Sequence, residues 1–223
     1  MTTPNPLLEN WQTPYGLPPF DLVRAEDFST AFDVALQSHR AEIDALAGSM
    51  FVPTFENTLV AFDRSGRLLA RVRELFFNLT AAETSPALQK VELEIAPKLS
   101  AHNSAIYMND ALFGRIDLLH ARMGSLGITP EAQRLLDRVH LDFVRAGAKL
   151  APASKARYAD VMAKLAQLTT QFSQNVLADE SSYQLLLRDE RDLAGLPESL
   201  RNAAKEAAVA RGVNDAYAIT LSR

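Results

Sequence analysis

Histidines are the first residues in this chain whose type could support hydrolysis or metal binding. There are four, His39, His102, His120 and His140. No two of them are four positions apart, and none begins the H-E-x-x-H pattern that binds zinc on one face of a helix. The chain contains no cysteine, which excludes thiolate metal sites and thiol nucleophiles. The spacing of the histidines therefore predicts no metal site.

Three of the histidines have a carboxylate three residues away, at the pairs His39 with Glu42, His120 with Asp117, and His140 with Asp137. Residues three apart share one face of a helix, and in a catalytic site the acid would orient the imidazole. The same spacing is common in partly solvated surface pairs, and we interpret all three in that way. His102 lies on an apolar stripe, so we expect a hydrogen-bonded residue of a core or groove.

A line of basic residues could contact a phosphate or a peptide carboxylate. It consists of Arg64, Arg67 and Arg71, with Arg73 nearby. Asp63 precedes Arg67 by four positions and Glu74 follows Arg71 by three, so neighbouring acids neutralise the line. We interpret it as a solvated face of ion pairs, each worth about a few tenths of a kcal/mol.

The remaining catalytic motifs are missing from the sequence. There is no glycine-rich phosphate loop and no nucleophile beside a base, and the segment GSLG has its serine one place away from a G-x-S-x-G elbow. The N-terminal segment MTTPNPLLENW lacks the basic and apolar regions of a secretory signal, so the glycosylation sequon at Asn78 is interpreted as a chance match. We predict no catalytic, cofactor-binding or metal-binding residue in this chain.

Composition is that of an ordinary globular protein. The 223 residues include 27 acids and 23 bases, for a net charge of −4, and 48% are hydrophobic. The charges are well mixed, which argues against a nucleic-acid partner. No window reaches 18 uninterrupted apolar residues, so no membrane span is expected, and we predict a cytoplasmic protein.

Amphipathic spacing predicts a mostly α fold, with long antiparallel helices and two short β-strands near the C-terminal end. The longest clean run, residues 53–80, is predicted to be one core helix with Gly66 on its apolar face and with Thr54 or Asn57 as its cap. Further helices are expected to start at about Glu26, at Ser85, near Asp110, at Thr129 and at Pro152. Pro97 predicts a kink or break inside its helix.

Three segments are predicted from the change in composition along the chain. Residues 1–24 form an extended proline-rich arm packed on the body, with the aromatic side chains of Trp11, Tyr15 and Phe20 in grooves. Residues 25–179 form a helical lobe, and residues 180–223 form a β-α-β segment with strands at 182–187 and 217–221. The second strand is expected to have no partner within the chain, as in a sheet cut from a longer protein.

Several sequence blocks, in their order, resemble the N-terminal region of the thimet-type zinc oligopeptidases. They include GLPPFDLVRAEDFSTAF, PTFENTLVAFDRSGRLLARV, AIYMNDALFGRI, LLDRVHLDFVRAGAKL, LTTQFSQNVL and DLAGLPESL. Within that family the chain looks most like the bacterial peptidyl-dipeptidases (dipeptidyl carboxypeptidases), with oligopeptidase A next. The similarity covers essentially all 223 residues.

The resemblance implies a longer cytoplasmic zinc metallopeptidase that hydrolyses short peptides in a channel between two lobes. The zinc would be held by the two histidines of an H-E-x-x-H helix and by a later glutamate, none of which this chain contains. The chain would supply one helical wall of the channel, and residues 180–223 would begin the next, incomplete part of the fold, with further strands beyond Arg223. Its partner would be the missing catalytic lobe, and the 223 residues alone are predicted to be inactive and without zinc.

Two alternatives stay open. The chain could be a stand-alone helical interaction module without catalysis, which would be monodisperse and would bind a specific protein or peptide. It could also be a helical enzyme with its own site, although no constellation of residues supports that hypothesis. A fragment of a larger enzyme would instead expose an apolar face, bind a hydrophobic dye and could dimerise through that face.

Overall fold

Helices dominate the computed structural model, which describes residues 4–221. In chain order the helices and strands are α1 (Ala25–Ala47), α2 (Ala61–Arg64), α3 (Arg67–Ala82), α4 (Pro86–Tyr107), α5 (Asp110–Ala121), α6 (Pro130–Arg145), α7 (Pro152–Ser182), β1 (Gln184–Leu187), α8 (Glu198–Ala210) and β2 (Tyr217–Thr220). A π-helical turn, Phe55–Val60, leads into α2. The predicted class, mostly α with two short strands, is confirmed.

The chain forms two compact units, residues up to 170 and residues from 171 onward. The boundaries predicted from composition, at 24 and 179, stay predictions. Three residues of the expected arm and the last two of the expected β-α-β segment lie outside the described residues.

Side-chain caps define where the helices of the first unit begin. Ser85, Asn109 and Thr129 each accept a hydrogen bond from the backbone N–H three residues later, at distances of 3.3, 2.9 and 3.2 Å. Pro86 and Pro130 occupy the first helical positions, where a missing N–H costs nothing. These starts confirm the cap-then-proline prediction and the predicted start near residue 110.

Residues 53–80 do not form one helix, so that prediction is wrong. Thr54 caps the π-helical turn through a reciprocal pair of bonds with Asn57. The helix then stops at Ser65, whose backbone is extended, and Gly66 adopts a left-handed conformation with φ of 70° before α3 begins. An amphipathic pattern does not register this stop, because the apolar residues keep helical spacing on both sides of it.

Pro97 does not break α4, which continues through it from Pro86 to Tyr107. Proline removes one backbone hydrogen bond and crowds the preceding turn. The buried residues Val91 and Ile95 before it and Ile106 after it anchor both halves of the helix in cores. Packing on both sides therefore compensates for the missing bond.

Two apolar cores lie in the first unit. The first is shared by the N-terminal arm, α1, α3 and α4, and its buried members are Leu7, Phe28, Ala31, Phe32, Ala35, Leu69, Val72, Leu75, Phe76, Leu88, Val91 and Ile95. The second is shared by the end of α1, the π-helical turn, the end of α4, α5 and α6, and its buried members are Ile43, Leu59, Ile106, Leu112, Phe113, Ile116, Leu119, Leu136, Phe143 and Ala148. Helices α1 and α4 run through both cores.

The N-terminal arm is attached through its first half. Leu7 is fully buried in the first core, and Trp11 packs against that core. The expectation that every aromatic residue of the arm lies in a groove is wrong, because Tyr15 and Phe20 are exposed. Prolines 14, 18 and 19 form a run of turns there, which leaves these rings pointing away from the helices.

The two strands of the second unit pair with each other, so the expected lack of a partner for the second strand is wrong. They are antiparallel, with Gln184 opposite Thr220 and Leu187 opposite Tyr217. Helix α8 lies between them in sequence and packs on β2, burying small side chains, namely Ala204, Ala208, Ala216 and Ala218. The intervening helix brings the chain back in the antiparallel direction, which the sequence pattern of two isolated strands did not reveal.

Helix α7 has no buried side chain, although it is 31 residues long. Leu165, Leu168 and Phe172 are all exposed. Among residues 4–221, no helix combines the length and the apolar character that crossing a lipid bilayer requires.

Candidate functional site

A cluster of polar residues lies between the two apolar cores, and we call it the polar layer. Its members are His39 of α1, Glu42 of α1, Ser65 and Gly66 between α2 and α3, and His102 of α4. On α1, His39 lies between Ala35 of the first core and Ile43 of the second. The layer therefore occupies the position where three helical segments change from one core to the other.

Hydrogen bonds link the polar layer into a chain. His102 Nε2 lies 3.0 Å from His39 Nδ1, and His39 Nε2 lies 3.1 Å from Ser65 Oγ. Ser65 Oγ also lies 2.6 Å from the carbonyl oxygen of Phe62, which can only accept. The serine hydroxyl must therefore donate to Phe62, so His39 Nε2–H donates to Ser65 and His102 Nε2–H donates to His39 Nδ1.

Gly66 brings its backbone against the His39 ring. Its φ of 70° lies in the left-handed region that favours glycine, and an added Cβ would lie 2.7 Å from His39 Cε1. The N–H of Gly66 donates to Glu42 Oε2 at 2.8 Å. Both the conformation and the space at this position therefore require glycine, and Glu42 binds the backbone rather than pairing with His39 as the spacing predicted.

Burial keeps both imidazoles of the layer neutral. Burial lowers the pKa of His39, an effect that the Glu42 carboxylate opposes. Burial, assisted by His39 and Arg40, lowers the pKa of His102 to about 4. A neutral pair can form the N–H···N bond between the rings, whereas two imidazolium rings could not.

The contact between Ser65 and His39 has the reach of a nucleophile and its base. The fold brings together two residues that are 26 positions apart in the sequence. The direction of the bonds does not support attack, however, since His39 Nε2 carries its proton and cannot accept another from Ser65. A cavity of about 420 Å³ adjoins Ser65 and Glu42, but the arrangement as it stands connects helices and does not activate a hydroxyl.

A second pair of histidines connects α5 and α6. His120 Nε2 lies 2.9 Å from Asp137 Oδ1, and His140 Nε2 lies 2.8 Å from Asp117 Oδ1. The two rings stack, with centroids 3.9 Å apart and planes at 8°. The predicted pairs within each helix are therefore wrong: the histidines exchange acids across the helix interface, because the two helices pack side by side.

Asp117 lies beside both His140 and Lys149. The hydrogen bond from His140, assisted by Lys149 at 3.8 Å, lowers the pKa of the Asp117 carboxyl. His140 is the more buried of the two rings, with 13% of its side chain exposed against 33% for His120. The four residues His120, His140, Asp117 and Asp137 are called the acid-paired histidines below.

The basic line of α2 and α3 does not form one solvated face of ion pairs, so that interpretation is wrong for Arg71. Arg64, Arg67 and Arg73 are exposed. The guanidinium of Arg71 instead lies 4.8 Å from the centre of the Trp11 ring and donates to the carbonyl oxygen of Leu7 at 2.8 Å. This residue holds the N-terminal arm against α3.

The residues described do not fit the zinc that the family resemblance implies. Among residues 4–221, no three histidine, aspartate or glutamate side chains are placed to hold a metal ion. The histidines form two separate pairs, and the Nε2 atom of each ring is hydrogen-bonded to another imidazole, to Ser65 or to an aspartate. No chemical step of this chain is therefore derived through a metal.

Comparisons with known proteins identify peptidases as relatives. Over 221 residues the chain is 40% identical to the dipeptidyl carboxypeptidase of Escherichia coli, an alignment that covers 99% of this chain and 32% of that protein. It is 27% identical over 217 residues to oligopeptidase A of Salmonella typhimurium, covering 97% of this chain and 31% of that protein. A probable cytosolic oligopeptidase A of Arabidopsis thaliana is 24% identical, with 97% and 30% covered. No family model matches the chain.

These relatives confirm the resemblance that the sequence blocks indicated. The chain is similar over nearly its whole length to dipeptidyl carboxypeptidases and to oligopeptidases A. It spans about a third of the length of the curated relatives that it matches.

Sequence reasoning missed the polar layer, although a signal for it existed. The apolar stripe of α1 has a gap at His39, and the stripe of α4 has His102 in an apolar position. Gly66 interrupts the third stripe, directly after Ser65. Each of the three apolar helix faces is interrupted at one position, by a histidine or a glycine. Because these faces pack against one another, the interrupted positions can be expected to lie together.

Proposed function

We propose that this chain is the N-terminal helical part of a zinc-dependent metallopeptidase that hydrolyses short peptides, with release of C-terminal dipeptides as its activity. One observation carries the proposal: identity is 40% to a dipeptidyl carboxypeptidase and only 27% to an oligopeptidase A over nearly the same residues. The difference favours the activity named for the first of these relatives.

The role of the 223 residues in that protein is structural. They would form one wall of the channel that admits peptides, and the partner that completes the site would be a catalytic lobe. The chain alone would then hydrolyse no peptide and hold no zinc. The protein would act in the cytoplasm on short peptides.

The experiment that tests the proposal starts with the complete reading frame of the gene. We expect it to continue beyond codon 223 and to encode an H-E-x-x-H motif. The purified longer protein should release dipeptides from the C-terminus of an unstructured oligopeptide, followed by mass spectrometry, and should lose that activity in a chelator. The same peptide with an amidated C-terminus serves as the control, and the 223-residue chain should be inactive on both.

Three outcomes would contradict different parts of the proposal. Activity that survives removal of the metal would exclude a metallopeptidase. A reading frame that stops within a few codons of residue 223 would favour the stand-alone interaction module. Internal cleavage before any dipeptide appears would keep the peptidase and reassign its mode to that of an oligopeptidase.

A further inference from the structure

The loop between α1 and the π-helical turn exposes three consecutive apolar side chains. Met50 is 97% exposed, Phe51 79% and Val52 70%. Among residues 4–221, no other run of three large apolar side chains is exposed to this extent. We call these residues the apolar tip.

Side chains of Arg115 and Asn57 hold the backbone of the apolar tip through hydrogen bonds. Arg115 Nη1 donates to the carbonyl oxygens of Ser49 and Phe51, at 2.9 and 3.0 Å. Asn57 Nδ2 donates to the carbonyl oxygen of Val52 at 2.9 Å. Three of four successive carbonyl groups of this loop are therefore held by side chains, while its own side chains point away from the unit.

Arg115 makes this attachment at a high energetic cost. Its guanidinium is buried, and within the described residues its hydrogen bonds go to backbone carbonyls, to Asn57 Oδ1 and to Thr58 Oγ1. Its Nε is buried without a hydrogen-bond partner among the described residues. Burying a cation without an opposite charge is unfavourable, so fixing this loop costs free energy that a mobile loop would not. The backbone of the tip is therefore ordered before any partner binds. Such preorganisation lowers the entropy cost of forming a contact.

The size and charge of the surface narrow the choice of partner. A stable dimer buries about 800 Å² on each copy, far more than three side chains can offer. A segment of the same polypeptide needs much less area, because its effective concentration is set by the covalent connection. Interfacial binding to anionic lipid uses basic residues around the apolar ones, whereas the charged residues nearest to the tip in the sequence are the exposed acids Asp44 and Glu56.

We propose that the apolar tip is a preformed docking contact that inserts into an apolar pocket of the polypeptide beyond residue 223. This inference rests on the proposed function, since it requires the longer protein. The relatives leave ample chain for such a pocket, because this chain covers only 32% of the dipeptidyl carboxypeptidase that it matches.

Thiol labelling tests the proposal directly, because the chain has no cysteine of its own. Phe51→Cys is prepared in the 223-residue chain and in the protein from the complete reading frame, and modified peptides are quantified by mass spectrometry. Leu22→Cys is the matched control, since Leu22 is also exposed, at 60%, in the same unit. Met50→Cys repeats the measurement in case one variant does not fold.

We expect the thiol of Phe51→Cys to react at least about tenfold more slowly in the longer protein, because a packed thiol reacts only when the contact opens. The thiol of Leu22→Cys should change its rate by less than about threefold, because no contact is proposed for it. Equal rates for Phe51→Cys in the two proteins would overturn the proposal. So would equal protection of the control thiol, protection that grows with the concentration of the 223-residue chain, or protection that needs anionic vesicles. Dipeptide release by the unmutated longer protein is measured separately, so that the proposed function and the docking contact can fail independently.

Discussion

The two pairs of histidines in the first unit differ in the partners to which their ring nitrogens are hydrogen-bonded. In the polar layer, His39 and His102 bond to each other, and burial lowers the pKa of both rings. No carboxylate among residues 4–221 is hydrogen-bonded to either ring. In the acid-paired histidines, each ring bonds to an aspartate of the other helix, and the two rings stack on each other. Burial therefore dominates the environment of the first pair, and contacts with carboxylates dominate that of the second.

The difference teaches that the partner atoms of a histidine determine what it contributes to the fold. A neutral N–H···N bond between cores fixes the register of α1 and α4, and it is lost when its acceptor, His39 Nδ1, is protonated. In the acid-paired histidines the acceptor is a carboxylate oxygen, to which an imidazole N–H can donate whether the ring is neutral or charged. The polar layer should therefore be sensitive to volume and to acid, and the acid-paired histidines should respond mildly to both.

The largest effect that separates the two regions is expected from Gly66→Ala. The substitution forces a left-handed residue to carry a Cβ and places that Cβ against the His39 ring. We expect a loss of about 2–4 kcal/mol in the free energy of unfolding, as the sum of backbone strain and overpacking. Urea denaturation followed by circular dichroism measures it.

Gly127→Ala is the matched control for that prediction. Gly127 has a φ of 64°, but an added Cβ would meet no atom within 4 Å. It should cost only the backbone term, about 1–2 kcal/mol. If the two substitutions cost the same, the close approach to His39 adds nothing, and the polar layer is not a sterically constrained element.

The next effect is the acid dependence of the polar layer. Because the folded-state pKa of His102 is lowered from 6.5 to about 4, the unfolded chain binds the proton first, and stability is lost as the pH falls from 6.5 to about 4. We expect a loss of about 2 kcal/mol over that range, less than the whole shift implies because the pair is only half-buried. His102→Gln should remove this part of the slope in urea titrations at several pH values.

The comparison variant for the acid dependence is His120→Gln. His120 bonds to Asp137 and belongs to the other pair, so the slope between pH 6.5 and 4 should remain. Carboxylates that contact neither His102 nor His120 contribute equally to both variants, so their contribution cancels in the comparison. A flattened slope in His120→Gln as well would remove the electrostatic distinction between the pairs.

The smallest effect concerns the two aspartates. Asp117→Ala leaves the more buried ring, His140, without its partner and should cost about 1 kcal/mol. Asp137→Ala affects the more exposed His120 and should cost about 0.5 kcal/mol or less. Since the pKa of Asp117 is lowered, its contribution is present above the ordinary range of an aspartate and is lost as the pH falls through the folded-state value. A larger loss for Asp137→Ala would reverse this ranking of the two ion pairs.

The helix starts could be predicted from the sequence because they depend on residues close together in the chain. Ser85 with Pro86 and Thr129 with Pro130 marked two helix starts correctly, because a cap and a proline act within four residues. The same reasoning failed at Gly66, where the stop depends on His39 and Glu42, 27 and 24 positions away. Helical spacing persisted across the stop, so periodicity carried no information about it.

What the sequence by itself determined is the class of fold, the helix starts, the apolar faces and the resemblance to thimet-type oligopeptidases, all of which depend on residue order and short-range spacing. Only the tertiary structure decided which histidine bonds to which acid, that Arg71 holds the arm, and that β1 and β2 pair. The physical reason is that a side chain's partner depends on the side-by-side placement of helices. The packing of whole apolar faces sets that placement, and no single spacing records it.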